Sequence, residues 1–271
     1  MTVVSLADSV DAEAYGGKAA QLAIAIRAGL PVPPGVALSV DLVEALAAGD
    51  PAASAELARV WALVHPPVAV RSSAVGEDSA GASFAGQHAT YLNVRAPEAL
   101  GSTIRAVRDS AHAAAALAYR RRLGLDEAPR LAVVVQALVK AECAGVLFTR
   151  NPIDGANELV IEASWGLGEA VVAGLVTPDR FRVTYDGAVL ERVAGEKDVA
   201  VNVSPEGGTS EIAVEPPRAR SLCLSDAQLE ELRHLARSCE EAFGAARDLE
   251  WAYAGERLYL LQSRAMTRVP V

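Results

Sequence analysis

Cysteine is scarce in this chain. Cys143, Cys223 and Cys239 are the only three in 271 residues, an odd number with no C-x-x-C pair. That spacing excludes a disulfide framework and a zinc ribbon, and reads as free thiols in a reducing compartment. The four histidines, His65, His88, His112 and His234, are scattered and include no H-E-x-x-H, so no histidine-based metal cluster is expected. No uninterrupted apolar run reaches the roughly 18 residues of a membrane span. Residues Met1 to Val10 lack the basic region and apolar run of a leader peptide, and a cytoplasmic location is expected. Basic charge is also short. Lys and Arg number 25 against 34 Asp and Glu, a net charge of -9. A surface of that sign argues against general binding to nucleic acid or to an anionic membrane, while leaving room for one local pocket that takes a small anion.

What is present is a large apolar fraction, 51%, with 22% charged residues, enough for a full core in one large domain or two lobes. There is no internal repeat. The apolar pattern predicts a helix over Lys18–Ala28 stopped by Gly29, short helices near Val40–Ala48 and Pro51–Val64, and one long helix over Pro97–Leu123 closed by Gly124. Strands are predicted at Val68–Arg71, Leu131–Val139, Gly145–Thr149 and Glu158–Ala163, with a hairpin turning at Asp186-Gly187. Ser225 and Gln228 form a capping box ahead of the helix Ser225–Phe243, whose apolar face is Leu229, Leu232, Leu235, Ala236, Cys239 and Phe243. Helices and strands mix without strict βαβ alternation. The class is therefore α+β, a single nucleotide-binding domain of two lobes, about 1–135 and 136–271.

Three fragments carry chemistry. Gly16-Gly17-Lys18 opens a helix, where free N–H groups and a lysine suit phosphate. It is not a Walker A loop, because Ala19 follows the lysine. A Gly-Gly turn beside a surface lysine fits the same residues. Arg71 ends an apolar strand and needs an anionic partner, either a phosphate or an internal carboxylate. The loop Ser72–Gly86 that follows is built of small residues and reads as a flap. Within it Gly81-Ala82-Ser83-Phe84-Ala85 lacks the last glycine of a nucleophile elbow, which sets a hydrolase aside.

The third fragment is the C-terminal hairpin. Alternation puts Asp248 and Glu250 on one face and Leu249, Trp251 and Tyr253 on the other. A three-residue turn at Ala254–Glu256 would set Asp248 opposite Gln262 and gather Asp248, Glu250, Gln262 and Arg264 on one side. Two carboxylates, an amide and an arginine suit Mg²⁺ and phosphate. A solvated face with an Asp–Arg salt bridge is the plainer alternative.

Taken in order, Gly16-Gly17-Lys18-Ala19-Ala20, Gly29-Leu30-Pro31-Val32-Pro33-Pro34-Gly35, Val68–Ala74, Ala82–Gln87, Gly145–Pro152, Gly166-Leu167-Gly168-Glu169, Asp248–Trp251 and Leu260–Arg264 resemble one family. It is the ATP-binding domain of phosphoenolpyruvate synthase, pyruvate phosphate dikinase and rifampicin phosphotransferase, and the likeness runs from about Gly16 to Arg264. The resemblance implies an ATP-grasp-like fold with the nucleotide in the cleft between two lobes, and MgATP as ligand. It implies that Lys18 and Arg71 contact phosphates, that Gly86 and Thr90 belong to the loop over them, and that Gln136, with the backbone through Val139, lies beside the adenine. Glu250 and Gln262 would hold Mg²⁺, Asp248 would assist, and Arg264 would neutralise the transferring group. On this reading Lys18, Arg71 and Arg264 are the catalytic set.

No stretch matches the Thr-Gly-Gly-x-x-Ser-His pattern of the family's acceptor histidine. The chain is therefore expected to act as an ATP-dependent phosphotransferase component. It would pass a phosphoryl or pyrophosphoryl group to a histidine on a separate protein that carries the swivelling and substrate domains. A stand-alone ATP-dependent ligase or kinase acting on a small molecule, and a non-catalytic ATP sensor or excised domain, are the alternatives.

Overall fold

A computed structural model describes residues 2–76, 89–122 and 128–266. The chain forms two compact units, one made of Met1–Arg27, Pro33–Leu138 and Pro205–Gly208, the other of Ala28–Val32, Val139–Ser204 and Thr209–Val271.

The first unit runs β1 (Val3–Ser5), α1 (Ala12–Arg27), β2 (Gly35–Leu38), α2 (Val40–Ala47), α3 (Pro51–Leu63), β3 (Val68–Ala74), β4 (Thr90–Val94), α4 (Pro97–Ala111), α5 (Ala114–Arg122) and β5 (Leu131–Ala137). Its five strands pair in the order β1-β2-β5-β3-β4, each neighbour antiparallel. Period-two alternation sorts β3 and β5. Val68, Val70 and Ala74, with Leu131, Val133 and Val135, join a core with Leu42, Val43 and Leu46 of α2, Val60 of α3, and Leu100, Ile104 and Val107 of α4. The last three recur at helical spacing, so one stripe of α4 is removed from water, each side chain stabilising by about 1.5–3 kcal/mol. The alternate positions Ala69, Arg71 and Ser73 face the other way, toward α1. The long helix expected over Pro97–Leu123 is broken at His112–Ala113. There Ser110 Oγ donates to the Val107 carbonyl at 2.6 Å, and the His112 ring nitrogen lies 3.1 Å from the Arg108 carbonyl. Such side chains compete for the helix's own acceptors. Gly124 lies outside the described residues.

The second unit runs β6 (Cys143–Phe148), β7 (Glu158–Trp165), α6 (Glu169–Val172), β8 (Asp179–Thr184), β9 (Val189–Val193), β10 (Val199–Val203), β11 (Thr209–Ala213), α7 (Pro216–Ala219), α8 (Asp226–Phe243), β12 (Arg247–Ala254) and β13 (Arg257–Ala265). Six strands pair antiparallel in the order β13-β12-β6-β7-β8-β9, and β10 with β11 forms a separate ribbon. Leu249, Trp251, Tyr253, Leu147, Ile161 and Phe181 share one buried face. Helix α8 lies against β12, with the Tyr253 hydroxyl donating to Glu231 Oε2 at 2.8 Å. The capping box of Ser225 and Gln228 is present as expected.

The C-terminal hairpin differs from its expected register. Its turn is the two residues Gly255 and Glu256, because Ala254 pairs with Arg257. A β-bulge follows: Trp251 pairs with Leu260, then Glu250 with Gln262, leaving Leu261 as the extra residue. Asp248 therefore faces Arg264, not Gln262. The bulge keeps the polar set on one side. Without it, the register of the turn would put Gln262 opposite Leu249 and into the core.

Candidate functional site

In the first unit the Gly16-Gly17-Lys18 segment is a kink within α1. Gly16 has φ +78° and ψ 167°, outside the helical range. This is a conformation glycine adopts and side chains oppose. Space demands glycine as well, since a Cβ there would stand 2.0 Å from the Ser73 carbonyl oxygen. The helix restarts after the kink, and the Ser73 hydroxyl attends to it. Its Oγ accepts from Ala19 N–H at 3.0 Å and donates to the Tyr15 carbonyl at 2.7 Å. Lys18 lies between these two anchors and is buried.

Arg71 lies two residues before Ser73 on β3 and so shares its face. Its guanidinium-bearing side chain is also buried, and its cross-strand partner on β4 is the exposed Thr90. Gln136 of β5 pairs with Ala69 on the same face, and its amide donates to the Pro33 carbonyl at 2.8 Å. Arg71, Ser73, Thr90 and Gln136 thus line one side of this sheet, and Ser73 ties Lys18's turn to it. Gly86 lies outside the described residues, as does most of the Ser72–Gly86 loop; Ser72 to Ala74 belong to β3. Val139 is the first residue of the second unit's main segment.

In the second unit the bulged hairpin brings Asp248, Glu250, Gln262 and Arg264 together on the face opposite the core. Arg264 Nε donates to Asp248 Oδ2 at 2.7 Å, and its Nη2 lies 2.5 Å from the same oxygen. Burial pushes the Asp248 carboxyl above its usual range, and the like charge of Glu250 adds to this. Arg264 opposes the shift. Across the sheet the same face carries Val146 beside Glu250, then the polar pair Glu162 and Arg180.

Sequence reasoning singled out neither Glu162, Arg180 nor Ser73. Alternation along β7 and β8 is a signal for the first two, whereas Ser73's partners lie 54 and 58 residues away and leave no local trace. Among the described residues no three His, Cys, Asp or Glu side chains are grouped to hold a metal. A carboxylate facing an amide oxygen fits Mg²⁺, which draws few ligands from protein and the rest from phosphate and water. It does not fit zinc, which takes four protein ligands in structural sites and three in catalytic ones.

The fold and these two polar faces define the class as an α+β domain whose side chains could hold a phosphorylated ligand and a hard cation. The family model described as the pyruvate phosphate dikinase AMP/ATP-binding domain matches residues 51–270, and the chain belongs to that family. Lys18 lies outside the matched stretch. The rifampicin phosphotransferase of Streptomyces sviceus is 42% identical over 201 residues, 73% of this chain and 23% of that protein. The "probable phosphoenolpyruvate synthase" of Methanothermobacter thermautotrophicus is 34% identical over 299 residues, 93% of this chain and 44% of that protein. The chain thus spans less than half the length of these curated relatives. Among solved structures, the D-alanine–D-alanine ligase of Helicobacter pylori aligns with 95% of this chain and 55% of its own, with TM-score 0.46 and 10% identity. That likeness is too weak to carry an argument. Among the described residues no helix is long and apolar enough to cross a membrane.

Proposed function

We propose that the chain binds MgATP and passes a phosphoryl or pyrophosphoryl group to a histidine on a separate protein bearing swivelling and substrate domains. Membership of an AMP/ATP-binding family supports the nucleotide. The observation that carries the reading further is the bulged hairpin, which pairs Glu250 with Gln262 and Asp248 with Arg264 on one polar face.

In this reading Glu250 and Gln262 hold Mg²⁺, which when bound offsets phosphate charge and fixes the geometry of the oxygens. Asp248 holds Arg264 in place, so the guanidinium is ordered before ligand arrives and loses less freedom on binding. Lys18 and Arg71 supply positive charge to the phosphates. Thr90, beside Arg71, and Gly86 join in binding the nucleotide, and Gln136 and Val139 bind the base. Lys18, Arg71 and Arg264 do the catalytic work, which is positioning and charge stabilisation rather than covalent chemistry.

The acceptor is tested by incubating the chain with MgATP and a phosphohistidine swivelling-domain protein, then separating the adenine nucleotides. A nucleotide product formed only when that protein is present is the expected result, AMP if the pyrophosphoryl group is transferred and ADP if the γ-phosphoryl group is. ADP formed by the chain alone with a small-molecule acceptor would replace this reading with a self-contained kinase or ligase.

A further inference from the structure

Ser73 stands beside the proposed phosphate site and has no role in the reading above. It is fully buried, lies on the face of β3 that also carries Arg71, and makes two hydrogen bonds to α1. One bond, Ala19 N–H to Ser73 Oγ at 3.0 Å, satisfies an N–H of the turn that restarts after Gly16. This is the work of an N-cap, done by a residue from another element. The other, Ser73 Oγ to the Tyr15 carbonyl at 2.7 Å, fixes the last residue before the kink. The two anchors bracket Gly16, Gly17 and Lys18. Gly16 sits so close to the Ser73 backbone that only hydrogen fits in place of a side chain.

We infer that Ser73 is a positioning residue. It sets the place of Lys18 relative to Arg71, two positions along the same strand, so that both charges meet one polyphosphate. The inference rests on Lys18 contacting nucleotide phosphate. Ser73 itself touches no ligand. Its single hydroxyl proton is used in binding α1, and its influence on nucleotide passes through Lys18.

A double-mutant cycle on the full chain tests this. MgATP affinity is measured by calorimetry for wild type, Ser73→Ala, Lys18→Ala and the double variant, with thermal unfolding recorded for each. Misplacing Lys18 should lower MgATP affinity in Ser73→Ala by about five- to tenfold, less than removing the lysine outright. In the Lys18→Ala background the same change should cost less than about twofold, because there is no longer a lysine to misplace. Ser72→Ala, on the opposite face of β3, controls for general damage to the strand and should leave affinity unchanged.

An equal loss in both backgrounds, or no loss in the wild-type background, would overturn the inference while leaving the site reading intact. A Lys18→Ala variant that binds MgATP as wild type does would instead overturn the site reading itself. If Ser73→Ala fails to fold, Ser73→Cys, slightly larger but with a weaker donor and acceptor at the same position, serves in the same cycle.

Discussion

Arg71 is buried on the face of β3 that also carries Ser73, and Lys18 is buried two residues past the Gly16 kink. Positive charge withdrawn from water in this way is suited to a phosphate ligand. Lys18→Ala and Arg71→Ala should each weaken MgATP binding by about 1.5–3 kcal/mol, roughly ten- to a hundredfold in Kd by calorimetry, with smaller effects on thermal stability. A loss of affinity that merely follows a loss of stability would show that these residues hold the fold rather than the ligand. At this scale the sequence was informative. A lysine after Gly16-Gly17, an arginine closing an apolar strand and polar residues at period two all stand out without a structure. Ser73 does not, because it is a serine among small residues and its partners are distant in the chain.

Elements whose determinants are local were legible and those set by distant pairing were not. The α8 helix announces itself through Ser225, Gln228 and a leucine-rich stripe. The hairpin of β12 and β13 was legible as a hairpin with one polar face, but not in register. A three-residue turn without a bulge and a two-residue turn with one both keep Glu250 and Gln262 on the same side, and the local residues fit either. The short strands β1, β2, β4, β10 and β11 carry too little alternation to be seen alone.

The ribbon of β10 and β11 is joined to the sheet by a feature no motif revealed. Asp179 at the start of β8 accepts from Gly195 N–H at 2.8 Å and Cys223 N–H at 2.7 Å, and forms a fully buried ion pair with Lys197. Removing one partner strands a buried charge. Asp179→Ala should cost about 3–5 kcal/mol in urea unfolding, and Asp179→Leu with Lys197→Met should recover a large part of it. If Asp179→Ala unfolds at the wild-type urea midpoint, the network does not hold this region.

Across the whole molecule a net charge of -9 and the family membership are compatible, because a small anion needs only a local cluster of cationic groups. The sequence pointed to two lobes dividing near Gln136; in the structure the main chain passes between compact units after Leu138. Acid stability belongs to this scale. Glu158 receives Arg182 Nε at 2.8 Å and Nη2 at 3.0 Å, and Asn151 Nδ2 at 2.7 Å. The Arg182 hydrogen bonds chiefly, with that of Asn151, hold its carboxyl below the usual range against the opposing effect of burial. A carboxylate with a depressed folded pKa stabilises above its unfolded pKa, near 4.3, and loses that contribution as pH falls through the folded value. The stability gap between wild type and Glu158→Gln should therefore be full at neutral pH and close below about pH 4, as followed by denaturant unfolding. A gap that persists unchanged into acid would assign the effect to shape rather than charge.

The central claim is that the hairpin face of Glu250 and Gln262 holds the metal of MgATP. The most direct measurement is calorimetric titration of ATP with and without Mg²⁺, in wild type and Glu250→Gln. The account predicts binding that strengthens when Mg²⁺ is present, and a Glu250→Gln variant that stays folded but loses most of that gain. ATP bound equally well without Mg²⁺, or a Glu250→Gln variant that keeps the full gain, would contradict it.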